Sequence, residues 1–232
     1  MTPRDFSEVR LGDLLSSEPY TGVRQDSDDD GDGGGMIPYV TTGLVAAKDV
    51  VDQPPTESTR RGSKGRWASF GDILLQCRGI ERRARVPAAI VKLDEDLAFT
   101  ESLILVRVDP TRADPDYIRL YLASEVAGAA LAAVATGTTI TYLRPEALTG
   151  LKLRLPSLEA QHEIAAKLAG MHAHLRTIYT TAATFRDLIS VASEGLLAGT
   201  LRISAIEARP HRARAGARRT ANAPDQHADG QQ

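Results

Sequence analysis

SLEAQHEIAAKLAGMHAHLRTIYTTAATFRDLISVASEGLLAGT, residues 157–200, decides the architecture of this chain. Ile164, Leu168, Met171, Leu175, Ile178, Ala182, Phe185, Ile189, Ala192 and Leu196 stand alternately four and three positions apart. That is a heptad seam sustained for more than four repeats, the spacing with which one helix presents a narrow apolar stripe to another. A helix packed on its own domain shows a wider face of period 3.6, and that is the plainer alternative. Pro156 and Ser157 stand where a stop and an N-cap are wanted, Glu159 suits the positive end of the helix dipole, and Gly199 is a good residue just past the C-terminus. At 1.5 Å per residue such a helix is about 65 Å long. It is expected to protrude and to find its partner in another chain or in a second copy of this one. Gly170 inside it argues weakly against the helix, at about 1 kcal/mol relative to alanine.

The rest of the 232 residues leaves roughly 150 for one globular domain, enough for a real core. The N-terminal MTPRDFSEVR is charged and has no apolar stretch of the secretory kind, and the small-residue run 126–137 is too short for a bilayer. No membrane is therefore expected. Cys77 stands alone and has no internal disulfide partner, which fits a reducing cytoplasm.

A net charge of −2 conceals a strong partition along the chain. Residues 1–59 sum to −8, whereas 60–92 sum to +7 through Arg60, Arg61, Lys64, Arg66, Arg78, Arg82, Arg83, Arg85 and Lys92. Arginines clustered on turns beside strands suit phosphate and the O6/N7 edge of guanine; a solvated loop paired with the acidic first third is the competing explanation.

In chain order, VRLGDLL opens the domain as a strand edge or a turn of helix. DSDDDGDGGG, residues 26–35, resembles the start of a calcium loop, but Ile37 stands where the bidentate glutamate belongs, so a solvated loop is expected. Strands are predicted over 36–42, 71–79, within VPAAIVKL and TESLILVRV, and over 137–143 and 151–155, with a loop at 53–66. Asp114 and Pro115 should cap a helix through Leu122, followed by an alanine-rich helix over 125–135 and a single turn at RPEAL. The mixed order predicts an α+β domain over 1–156, the heptad helix over 157–201 and a disordered basic tail over 202–232.

Catalytic motifs are lacking. There is no phosphate loop, no methyltransferase or nuclease signature, and no Cys/His cluster with metal spacing. His172 and His174, two apart on one helix, point away from each other, and Cys77 reads as a buried strand residue. No metal and no cofactor are expected. What remains is binding.

VRLGDLL, IPYVTT, FGDILLQCRGIERRARV, GTTITYLRPEALTGLKLRLPSLEAQHEIAAKL and GLLAGTL together resemble the specificity (S) subunits of type I restriction-modification systems, over residues 7 to about 203. The strand ending in Leu-Pro, then Leu-Glu-x-Gln at 158–161, then Ile164 opening the heptads, is the most specific part. The resemblance implies a target recognition domain that reads one half of a split sequence in double-stranded DNA. The helix after it then serves as spacer and as a docking element for methyltransferase subunits. Those subunits carry the chemistry with S-adenosylmethionine, and the resemblance implies a motor-nuclease subunit as an optional further partner. S subunits hold two such domains and two helices in one chain, paired antiparallel; here there is one of each, a half-length form. A homodimer reading a palindromic bipartite site is therefore expected, or pairing with a second S-like chain.

The residues expected to touch DNA are Arg60, Arg61, Lys64, Arg66, Arg78, Arg82, Arg83 and Arg85, with Thr138, Thr139 and Tyr142 adding hydroxyl contacts beside Gly137. Those expected at the dimer interface are Ile164, Leu168, Met171, Leu175, Ile178, Phe185, Ile189 and Leu196. Two rivals need no DNA readout: an assembly factor that uses only the helix, and a decoy S fragment that occupies methyltransferase without directing it.

Overall fold

In a computed structural model of the chain, the described residues are 6–24, 35–60, 66–81, 85–137 and 140–201. In order they form β1 (Ser7–Arg10), a 3-10 turn (Leu11–Leu14), β2 (Tyr20–Thr21), β3 (Met36–Val40), α1 (Thr42–Ala47), β4 (Val50–Val51) and β5 (Ser58–Arg60). There follow β6 (Ile73–Gln76), β7 (Ala88–Val91), β8 (Ala98–Phe99), β9 (Leu103–Val106), α2 (Pro115–Leu122), α3 (Glu125–Val134), α4 (Pro145–Thr149), β10 (Lys152–Leu155) and α5 (Leu158–Leu197). The architecture is α+β with a long final helix, as the element pattern predicts.

The runs ILLQ, AAIV and LILV carry no alternation because both of their faces are covered. They stand side by side in a five-stranded sheet of order β2-β9-β6-β7-β4, antiparallel except for β4 beside β7. Ile73, Leu75, Ile90, Ile104 and Val106 pack on one side with Ile118 and Leu122 of α2, Leu131 of α3, and Leu153 and Leu155 of β10. Leu74, Ala89, Val91, Leu103 and Leu105 face the other way, onto Val40, Val45, Leu97 and Phe99. A smaller sheet of order β5-β3-β8 lies over Trp67. β1 pairs antiparallel with β10, so the first and last strands close together immediately before α5.

The helix caps agree with the sequence. Asp114 accepts from the Tyr117 amide at 2.8 Å with Pro115 in the first turn, and the Ala160 amide reaches the Ser157 hydroxyl at 3.4 Å. Gly199 adopts φ +70°, and the Leu201 amide and Thr200 hydroxyl both return to the Gly195 carbonyl, at 2.9 and 3.1 Å. The Leu201 side chain folds back over Gly195, its methyl 2.5 Å from where a Cβ at that position would lie.

Two expectations need correction. Among the described residues of the stretch 137–143 no strand forms: Tyr142 makes only isolated bridges, to Thr136 and to Arg78, and Gly137 sits at positive φ. The connection 53–66 is not all loop, since its residues 58–60 pair with β3 as β5. The aspartate-rich stretch 25–34 and the tail 202–232 lie outside the described residues.

The chain divides into two compact units, Met1–Thr177 and Ile178–Gln232, a division that falls inside α5. In the first unit α5 is anchored by Gln161, whose side-chain carbonyl accepts from the Asp114 amide at 3.0 Å while its NH2 donates to the Pro156 carbonyl at 2.9 Å. His162 lies 3.3 Å from the Asp114 carboxylate and His172 2.8 Å from that of Asp49. Gln161, Ala165, Leu168 and His172 form the covered face, with Gln161 and Ala165 fully buried. Ile164 and Leu168, the first two seam positions, are half-buried. From Met171 onward the seam is open: Met171, Leu175, Ile178, Phe185, Ile189 and Leu196 are 41–65% exposed.

Candidate nucleic-acid interface

The turn that enters β6 is built on Gly71, at φ +87°, and Asp72. Asp72 is 2% exposed at its side chain, caps the Ser69 amide at 2.8 Å, and receives Arg107 at both oxygens, at 2.7 and 2.6 Å. A bidentate pair of this kind is among the stronger polar contacts, and it holds the Arg107 guanidinium above its ordinary basicity. Arg107 also donates to the Trp67 carbonyl at 3.4 Å, and the Tyr20 hydroxyl donates to the same oxygen at 3.2 Å. The segment next to Arg66 is thereby fixed, and the Arg66 guanidinium lies 5.3 Å from the centre of the Tyr20 ring.

At the far end of β6 the chain turns on Gly79, at φ +70°, and is laced to residues 141–143. The Gly79 amide donates to the Thr141 carbonyl at 2.9 Å, the Leu143 amide to that of Cys77 at 2.8 Å, and the Thr141 hydroxyl to that of Ile80 at 2.7 Å. Arg78 is thus presented from a stiff turn. Its guanidinium meets Glu101 at 3.1 Å, shares that carboxylate with Arg24 at 3.1 Å, and stands 5.9 Å from the Tyr142 ring centre. Burial pushes the Tyr142 hydroxyl above the usual phenol range, so it remains a neutral donor. Gly137 has φ +110°, and a Cβ there would fall 2.3 Å from the Ile140 carbonyl. Glycine is therefore required at position 137, and Ile140 is 65% exposed.

An open groove of about 610 Å³ is lined by Glu18, Pro19, Tyr20, Thr21, Arg66, Tyr142, Arg144, Pro145 and Glu146. A hollow of about 280 Å³ beside Arg78, Ile140 and Tyr142 shares the tyrosine. Of the residues expected to touch DNA, the fold therefore brings together Arg66, Arg78 and Tyr142. Arg60 is exposed on β5, at the edge of the small sheet, and Arg85 lies 3.8 Å from Glu125 of α3; neither lines the groove. Arg61, Lys64, Arg82, Arg83, Thr138 and Thr139 lie outside the described residues. Tyr20 and Arg144 join the groove without having been singled out. RPEAL did indicate a helical turn at Arg144, but nothing in the local sequence indicates that α4 brings it near Tyr20.

The chemistry offered is recognition by cations and aromatic rings. Cys77 is fully buried and burial pushes its thiol up to about 11, so it stays protonated and unreactive at neutral pH. Among the described residues no group of three or more His, Cys, Asp or Glu side chains is placed to hold a metal ion. No single described helix is long and apolar enough to cross a membrane.

Two solved structures share this fold. One is a chain of a type I R-M system solved in a study of complex assembly and conformational transition: TM-score 0.58, 17% identity, covering 85% of this chain and 46% of that one. The other is a type I restriction-modification S subunit from M. genitalium: TM-score 0.57, 16% identity, covering 84% and 47%. This chain thus spans just under half the length of either. No curated protein sequence matches it. Residues 3–179, about three quarters of the chain, match the family described as the type I restriction modification DNA specificity domain, and the chain belongs to that family.

Proposed function

We propose that the protein is the sequence-reading component of a type I restriction-modification complex, working in the cytoplasm as a homodimer. Each copy contacts one half of a bipartite target in double-stranded DNA through the face around Arg66, Arg78, Tyr142 and Arg144. It catalyses nothing itself. Adenine-N6 methyl transfer, with S-adenosylmethionine as donor, belongs to methyltransferase subunits docked on the helix and domain, and a motor-nuclease subunit adds cleavage where one is present. The observation that supports this reading is the apolar seam from Met171 to Leu196, exposed along α5 next to the recognition domain. A narrow stripe of this length in water is an interface without its partner.

Two-fold pairing sets identical domains at the two half-sites, so the target is a palindrome interrupted by unread base pairs. Mapping N6-methyladenine across the source genome with and without this gene tests the proposal. Loss of one split palindromic motif is expected. An asymmetric motif would replace the homodimer with pairing to a second S-like chain, and an unchanged map would remove DNA specificity from the protein.

A further inference from the structure

At the candidate interface Ile140 is a large apolar side chain in the company of a cation and a phenol. It is 65% exposed, and with Arg78 and Tyr142 it lines the hollow of about 280 Å³. Met36, Phe70, Val126 and Val134 are exposed too, but none of them lines that hollow or the groove beside it. A single exposed aliphatic group is ordinary on a protein surface. What sets Ile140 apart is the backbone that carries it.

Thr136 and Tyr142 close its turn in both directions, the Thr136 amide donating to the Tyr142 carbonyl at 2.9 Å and the Tyr142 amide to the Thr136 carbonyl at 2.6 Å. Thr141, the next residue, is tied twice to the turn after β6. Its carbonyl accepts from the Gly79 amide at 2.9 Å, and its hydroxyl donates to the Ile80 carbonyl at 2.7 Å. Tyr142 itself bridges to Arg78. Ile140 and Arg78 are therefore carried on one frame, and β-branching restricts the isoleucine at χ1, so little freedom is lost when it makes a contact.

Resting on the DNA-reading face proposed above, we propose that Ile140 determines specificity for a thymine, its side chain packing on the C5-methyl group in the major groove beside Arg78 and Tyr142. Base edges there present donors and acceptors, and that methyl is the one apolar group among them. Arg66, Arg78 and Arg144 draw the phosphates of a duplex to this face, which brings base edges up to the side chain standing among those cations. Against thymine, Ile140 buries a methyl group. Against cytosine it covers an amino donor that it cannot satisfy, so the two pyrimidines are separated by a gain and a cost together. The Arg78 guanidinium, steadied by Glu101 at 3.1 Å, and the Tyr142 hydroxyl flank the contact with hydrogen-bonding groups for the polar atoms around the methyl.

Removing the methyl alone tests this. On a duplex carrying the motif found by the N6-methyladenine map, deoxyuridine replaces each thymine in turn, and binding of the full-length chain is measured. One replacement should weaken binding about fourfold, the worth of one buried methyl group, and the others should leave it unchanged. Ile140→Ala should bind the thymine and deoxyuridine forms of that duplex equally. In cells carrying Ile140→Ala, the methylated motif should turn degenerate at that thymine and stay intact elsewhere. A motif without thymine, a wild type indifferent to every deoxyuridine, or an alanine variant that still tells the two bases apart would overturn the assignment while DNA reading stood. So would an unchanged motif in the Ile140→Ala strain. A methylation map unaltered by deleting the gene would remove both. The wild-type series uses no variant, so it tests the contact even if Ile140→Ala fails to fold.

Discussion

Leu103–Val106 and Ile178–Leu196 are both rich in large apolar side chains and meet opposite fates. All four residues of β9 are fully buried, with β2 and β6 alongside and side chains above and below. Ile178, Phe185, Leu188, Ile189 and Val191 of α5 are each at least 60% exposed. The difference lies in spacing. A run apolar at every position is satisfied by a sheet covered on two sides, which one chain can build from its own elements. A stripe apolar alternately at every third and fourth position is the pattern that a partner helix satisfies.

A charge in each region separates them most sharply. Ile104→Asp places a carboxylate in the middle of the sheet and should cost about 4 kcal/mol or more, abolishing the cooperative thermal transition. Ile178→Asp should leave that transition within a few degrees of wild type and abolish dimerisation. If calorimetry showed the two variants equally unfolded, the second half of α5 would have to be part of the core.

Asp72→Ala comes next. It removes the bidentate partner of Arg107 and the cap on Ser69, and should lower stability by about 2 kcal/mol in denaturant titrations. Because Arg107 and Tyr20 hold the segment next to Arg66, DNA affinity should fall as well.

Arg78→Ala should weaken duplex binding by about tenfold with no change in folding or dimerisation. If Arg78 sits on a phosphate, the slope of log affinity against log salt should flatten by about 1; if it reads a base, the slope should hold and discrimination at one position should be lost. Unchanged affinity and slope would take it out of the interface.

The smallest effect is that of pH on Cys77. Its thiol is raised to about 11 in the folded state by burial, against 9.0 ordinarily, so between these values the unfolded chain has released a proton that the native chain retains. Stability from this group is complete below pH 9 and declines as pH rises toward 11. Cys77→Ala should show a shallower decline than wild type over that window in urea titrations, and identical slopes would count against the burial.

How much of this was legible in the sequence depends on whether the signal was local. The caps at Asp114 and Ser157, the turn at Gly199, and the strands β6, β7 and β9 depend on neighbours in sequence and lie where the pattern predicts them. Along the heptad seam the positions differ in exposure: Ile164 and Leu168 are half-buried and the large side chains from Met171 to Leu196 exposed, because the covered face through Gln161, Ala165, Leu168 and His172 also runs four, three, four and shares Leu168. The groove was only half visible. Arginine density pointed to Arg66 and Arg78, but the reason they stand firm is long-range: Arg107 reaching Asp72, Glu101 reaching Arg78, and residues 141–143 pairing beside Cys77. Nothing in the sequence near Asp72 shows that this aspartate pairs with Arg107, just beyond β9.

The most direct single measurement is the mass of the full-length chain by light scattering across a wide concentration range, with Phe185→Ala alongside. An open seam that is a self-interface predicts twice the 24.9 kDa of one chain for the wild type, and a shift toward one chain for the variant. A wild-type mass of 24.9 kDa at the highest concentration would contradict it, and the seam would then belong to a different protein.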